Sequence, residues 1–169
     1  YRIIDGKTAR PFASGGACAA MVAGAREEIV DAAWGYGMEL GRAFQLIDDI
    51  LDLRGDEKIG KPRGTDVHEG KMTLPIIYAL TMLYGQDRNH LEDVLTNFSD
   101  DRLGELVDLL ERAGSFEYSR ILVSNHIGRA LRFLDPFEES EAKSLLKEIV
   151  LHIVAYMIVA KMLNSFVVN

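Results

Sequence analysis

Cysteine occurs once in the chain, at Cys18, so neither an internal disulfide nor a thiolate metal cluster can form, which suits a reducing compartment. Basic residues are the minority: 19 Lys and Arg against 26 Asp and Glu give a net charge of -7. Without a basic stripe the chain is poorly suited to phosphate backbones, which argues against nucleic acid as its main partner. No apolar run is long enough to span a membrane. The greasiest stretch, residues 149–162, contains His152 and Lys161 and falls short of the roughly 20 residues a bilayer requires. "YRIIDGKTARPF" lacks an apolar signal core, so a cytoplasmic location is expected. Alternating strand patterns, repeats and low-complexity tracts are also missing, which leaves helix.

What is present is globular composition, with 48% apolar and 27% charged residues, enough for one domain over residues 1–169. "GGACAAMVAGA" reads as small-residue helix suited to close packing, and residues 26–53 as one long helix with apolar residues at helical spacing. "RGDEKIGKPRGTDVHEGK" breaks the periodicity with glycines and a proline and reads as loop. Helix resumes near Leu74, where Pro75 fits a first turn. "GQDRNH" reads as a turn, and "SDDRLGELVDLLERAG" as a helix with Ser99 as its cap and Gly114 after its end. Two more helices are expected over about 117–134 and 138–163. Cys18, Tyr36 and the methionines read as core.

"FQLIDDILD" places three aspartates in a run that otherwise reads as buried helix. At about 100° per residue, with Gln45 at zero, Asp49 falls near 40°, Asp52 near 340° and Asp48 near 300°. The four polar residues share one face, and Phe44, Leu46, Ile47, Ile50, Leu51 and Leu53 fill most of the remaining circumference. Two readings compete: a solvated face of an amphipathic helix, or carboxylates gathered for a divalent cation. Magnesium takes one or two carboxylates and completes its shell with water and phosphate oxygens. A solvated face would more naturally mix Lys, Glu and Arg, as this chain does elsewhere, and the metal reading is preferred.

The loop downstream brings Lys61 and Lys71 onto glycine-flanked backbone, where lysine serves as a mobile charge for phosphate oxygens. Lys7 and Thr8, in "DGKTARPF", add a second charge and a hydroxyl. Gly6-Lys7-Thr8 is not a P-loop, because Tyr1 stands where the first glycine belongs. Asp52 and Asp56 do not open an EF-hand either, because Arg54 and Arg63 occupy positions that need acidic ligands.

"KTA", "FQLIDDILD" and "GKPRGTDVHEGKMTLPII", in this order and spacing, resemble the C-terminal half of a trans-isoprenyl diphosphate synthase, of the polyprenyl synthetase family. The resemblance implies an all-α bundle of the isoprenoid synthase type, incomplete here, that condenses an allylic diphosphate with isopentenyl diphosphate using Mg2+. It implies that Asp48, Asp49 and Asp52 form the second aspartate-rich motif and hold the metal. It further implies that Lys7, Thr8, Gln45, Lys61 and Lys71 contact the allylic diphosphate, the first four with catalytic roles. The family's first aspartate-rich motif and its isopentenyl diphosphate residues have no match in this sequence. The expectation is therefore a fragment or subunit inactive alone, either forming a homo-oligomer such as a dimer or pairing with the missing N-terminal half. A non-catalytic partner that modulates a complete synthase is the alternative. A terpene cyclase fits less well, because its Asn, Ser and Glu metal triad is not evident. Trp34, Met38 and Gly41 continue the aspartate stripe and are read either as channel lining or as ordinary packing.

Overall fold

The computed structural model describes residues 1–54 and 63–166, with side chains through residue 153. All regular structure among the described residues is helical. A short helix α1 (Arg2–Ile4) runs through a π-helical turn (Asp5–Ala9) into α2 (Arg10–Val22), followed by α3 (Glu27–Arg54) and α4 (Thr65–His68). Then come α5 (Leu74–Met82), α6 (Gly85–Thr96), α7 (Leu103–Arg112), α8 (Ser115–Phe133) and α9 (Glu141–Phe166). Lys61 lies outside the described residues.

Most expected helices are present, with corrections at their ends. "GQDRNH" is not a turn but the start of α6. Asp87 in the first turn suits the positive end of that helix, and Leu91 and Val94 bury its apolar side. The chain actually breaks at Leu83 and Tyr84, whose backbones are extended although their side chains carry no turn signature. Ser99 makes no capping hydrogen bond and precedes a 3-10 turn (Asp100–Arg102), so α7 begins only at Leu103. Within the segment read as loop, Gly64 at φ +72 starts the single helical turn of α4.

The chain divides into two compact units. The second, Leu46–Ile121, holds a core of Ile50, Leu53, Val67, Ile76, Leu91, Leu106, Leu109, Leu110 and Phe116. Removing that many large side chains from water, at about 25 cal/mol per Å² of apolar surface, is its main stabilisation. Arg54 lies over the Phe116 ring at 4.5 Å and pairs with Glu111, while Arg63 donates to the Leu53 carbonyl at 2.9 Å. These contacts pin the C-terminal end of α3.

The first unit, Tyr1–Gln45 with Leu122–Asn169, is built on backbone contact between small residues. Ala9, Ala13 and Ala17 recur every fourth residue and are buried. A Cβ added at Gly37 would stand 2.5 Å from the Ala13 Cα, and one at Gly41 would stand 2.6 Å from the Ala9 Cα. A side chain at either glycine would force the helices apart. Gly41 thus does its work in packing against Ala9. Cys18 is exposed rather than core, one step off the alanine face, and Met21, Met72 and Met82 are exposed too. Tyr36 is buried as expected, its O–H donating to the Leu146 carbonyl at 2.8 Å, and burial pushes its phenol up to about 12.

Candidate functional site

In the second unit the aspartates are not a solvated face. Asp49 and Asp52 are 6% and 4% exposed, and Asp48 is half-buried. Charged carboxylates are seldom taken out of water without hydrogen bonds or cations to offset the loss of hydration. Part of that compensation is visible at Asp52. Its backbone carbonyl accepts from the Gly64 N–H at 2.8 Å, and its carboxylate Oδ2 accepts from the Asp66 N–H at 3.1 Å. The positive φ at Gly64 favours glycine there, and a Cβ at this position would also press on Phe98 at 3.0 Å.

Asp66 in turn holds Lys71. Its carboxylate accepts from the Lys71 ammonium at 2.8 Å, and its carbonyl accepts from the Lys71 N–H at 2.8 Å. Glu69 is a second partner of that ammonium. Hydrogen bonds to the Asp66 and Glu69 carboxylates hold the Lys71 ammonium well above its ordinary pKa, so it stays charged. Sequence reasoning singled out Lys71 and overlooked Asp66. The signal available was an acid five residues before a lysine in a glycine-bounded segment. His68, beside them, is exposed, lies against the Phe98 ring and meets Asp100 at 2.7 Å.

In the first unit Thr8 and Gln45 are brought together. The Thr8 hydroxyl donates to Gln45 Oε1 at 2.8 Å, and Gln45 is buried. With Oε1 turned to Thr8, the amide nitrogen end of Gln45 carries the donors. Lys7 is exposed on the same π-helical turn that carries Thr8. Such turns inside α-helices are rare and recur at functional sites.

The first unit also contains a polar network that sequence reasoning missed. Arg42 grips Asp5 with two hydrogen bonds, Nε to Oδ1 at 2.7 Å and Nη2 to Oδ2 at 2.9 Å. Its Nη1 donates to Glu39 Oε1 at 2.8 Å. The other oxygen of Glu39 meets His126 Nδ1 at 2.7 Å and Arg129 Nε at 2.6 Å, and the Tyr1 hydroxyl lies 3.1 Å from His126 Nε2. Burial raises the Glu39 carboxyl, but hydrogen bonds from His126 and Arg129 outweigh it and hold the group below the usual range. Burial pulls the His126 imidazole below its ordinary value despite Glu39. An Nδ1–H tautomer would donate to Glu39 and leave Nε2 to accept from Tyr1, but Arg129 Nη2, itself a donor, stands 2.6 Å from the same Nδ1, so no single tautomer satisfies every contact of the ring. The hydrogen bonds from Arg42 keep Asp5 ionised to lower pH than usual.

No three or more His, Cys, Asp or Glu side chains among the described residues form a metal-holding group of their own. Two buried carboxylates and a half-buried one on a single helix match an ion shared with a ligand better than one enclosed by protein. No helix among the described residues is long and apolar enough to cross a membrane.

Comparison with known proteins matches residues 1–110 to the polyprenyl synthetase family model. The chain is 36% identical over 141 residues to a short chain isoprenyl diphosphate synthase of Methanothermobacter thermautotrophicus, covering 83% of this chain and 43% of that protein. It is 34% identical to heptaprenyl diphosphate synthase component 2 of Geobacillus stearothermophilus, over 90% of this chain and 47% of that one. The chain thus spans less than half the length of these relatives. Among solved structures, a decaprenyl diphosphate synthase from Rhodobacter capsulatus matches with a TM-score of 0.83 at 30% identity, covering 92% of this chain and 49% of that one. A geranylgeranyl pyrophosphate synthase from Corynebacterium glutamicum, complexed with calcium and isoprenyl diphosphate, matches at 0.80 and 32%, over 91% and 48%.

Proposed function

The chain belongs to the polyprenyl synthetase family, and we propose that it serves the condensation of an allylic diphosphate with isopentenyl diphosphate, supplying the residues that bind and ionise the allylic partner. The burial of Asp49 and Asp52 carries this reading, because a merely solvated acidic face would leave them in water. Asp48, Asp49 and Asp52 hold magnesium, and Lys7, Thr8, Gln45, Lys61 and Lys71 are the groups that bind the diphosphate. Magnesium, when bound, neutralises charge on the departing diphosphate.

The protein's own part is electrostatic and orienting. Lys7, Lys61 and Lys71 donate N–H groups to diphosphate oxygens, so charge gathers on a leaving group that is already surrounded by cations. The Asp66 carbonyl fixes the backbone from which Lys71 reaches, the Lys71 ammonium exchanges its Asp66 and Glu69 partners for diphosphate oxygens, and the Thr8–Gln45 pair orients the amide donors. As the allylic C–O bond breaks, its electron pair leaves with the diphosphate. The double bond of isopentenyl diphosphate then forms the new C–C bond to the cation, and loss of a proton restores the alkene.

Residues 1–169 are read as the C-terminal part of one synthase domain, with the contacts to isopentenyl diphosphate made by residues outside it. A dimer, or a pairing with an N-terminal half, would provide those contacts. The second reading, a partner subunit that modulates a complete synthase, draws on the relative named as component 2 of a heptaprenyl diphosphate synthase. Lys7→Ala and Lys71→Ala test the assignment. Each is expected to weaken inorganic diphosphate, titrated calorimetrically at fixed magnesium, by about tenfold, the equivalent of about 1.4 kcal/mol. Unchanged affinity in both would remove these lysines from the site.

A further inference from the structure

The π-helical turn Asp5–Ala9 carries Lys7 and Thr8, and a π-turn is a poor intrinsic structure that persists only with tertiary support. Its wide ring is closed by the Arg10 N–H donating to the Asp5 carbonyl. Two supports are visible. Gly41 lets α3 approach the Ala9 backbone, which fixes the end of the turn. At its start, Arg42 on the same helix takes both Asp5 carboxylate oxygens in a fork that fixes direction as well as distance. Arg42 is itself held from behind by Glu39, which His126 and Arg129 of α8 anchor in turn. The acid at the start of the turn is thereby joined to the buried middle of α3, while Thr8 in the turn bonds Gln45 three residues beyond Arg42.

We propose that Asp5 and Arg42 are positioning residues, a two-pronged clamp that holds the π-turn in register so that Lys7 and Thr8 meet the diphosphate. This rests on the diphosphate reading of Lys7 and Thr8 given above. Neither clamp residue touches the ligand. Their effect passes through the turn, and that gives the clamp a signature that general stabilisation does not have: removing Asp5 lowers diphosphate affinity only while Lys7 and Thr8 are present.

A double-mutant cycle reads that signature from the affinity for inorganic diphosphate at fixed magnesium. Asp5→Ala is expected to weaken binding about tenfold, Asp5→Glu to retain most of it, and Asp5→Ala to add less than twofold in the Lys7→Ala, Thr8→Val background. Melting midpoints of all variants are recorded alongside, and Asp5→Asn, which keeps the side-chain shape, takes the place of the alanine variant if that one does not fold. Full affinity in both Asp5→Ala and Asp5→Asn overturns the clamp, as does a tenfold loss that recurs in the double-variant background. No loss in Lys7→Ala, Thr8→Val itself overturns the underlying diphosphate reading, and with it the clamp, so the two failures are distinguishable.

Discussion

Asp49→Asn is expected to lower magnesium-dependent affinity for diphosphate by at least about a hundredfold while leaving the helix content of the chain unchanged. Groups that merely support metal ligands typically cost about 10–100-fold when removed, so a direct ligand should cost no less. Asparagine keeps the shape of the side chain at a buried position, so the change removes the charge, and turns one acceptor oxygen into an NH2 donor, without altering the volume appreciably. The charge is what the proposed metal requires. Two unit charges 4 Å apart interact by about 4 kcal/mol at an effective dielectric of 20, an attraction to a cation that the amide forfeits. The check is thermal as well as calorimetric. Ligand that binds only the folded chain raises its melting midpoint by mass action, so magnesium with diphosphate should raise it in the parent chain and leave it unmoved in Asp49→Asn. An equal rise in both would assign the aspartate to structure.

Glu39→Ala is expected to destabilise the first unit by about 3–5 kcal/mol, because it strips a buried carboxylate from two arginines and a histidine at once. At roughly 2–4 °C per kcal/mol for a chain of this size, the midpoint should drop by about 6–20 °C. The same network gives stability a pH dependence of definite sign. Asp5, Glu39 and His126 all have depressed pKa values in the folded state. For each, the unfolded chain binds its proton first as pH falls, so the stabilisation present above the unfolded pKa is lost on acidification. The loss begins below about pH 6.5, where an unfolded histidine protonates, and steepens below about pH 4 as the carboxyls follow. His126→Gln should flatten the upper part of the melting-midpoint curve and spare the lower. A midpoint that rises from pH 7 to pH 5 would contradict the network.

Helix was legible in the sequence wherever apolar spacing carried it, as in α3, α5 and α8. The breaks were legible less often. Leu83 and Tyr84 are extended and Gly85 follows at φ +60, so the break falls ahead of the polar residues, which belong to a helix that buries only its Leu91 and Val94 side. The aspartate stripe was legible because like charges crowded into a buried period are unusual, and the structure places Asp49 and Asp52 in the interior on that stripe. The network of Asp5, Glu39, Arg42, His126 and Arg129 was not legible. Its bonded partners lie up to 125 residues apart, as Tyr1 and His126 do, and each alone resembles an ordinary surface charge until packing brings them together. Asp66 escaped notice for a related reason. Its bond to Asp52 is made by backbone, which leaves no side-chain signature.

Calorimetric titration of inorganic diphosphate into the purified chain, with and without magnesium, distinguishes a metal-dependent diphosphate site from a merely structural acidic helix. Saturable binding is expected with magnesium, weakening at least tenfold when the metal is withheld. Equal affinity in both titrations, or no binding to a chain that circular dichroism shows to be helical, would contradict the metal-dependent site.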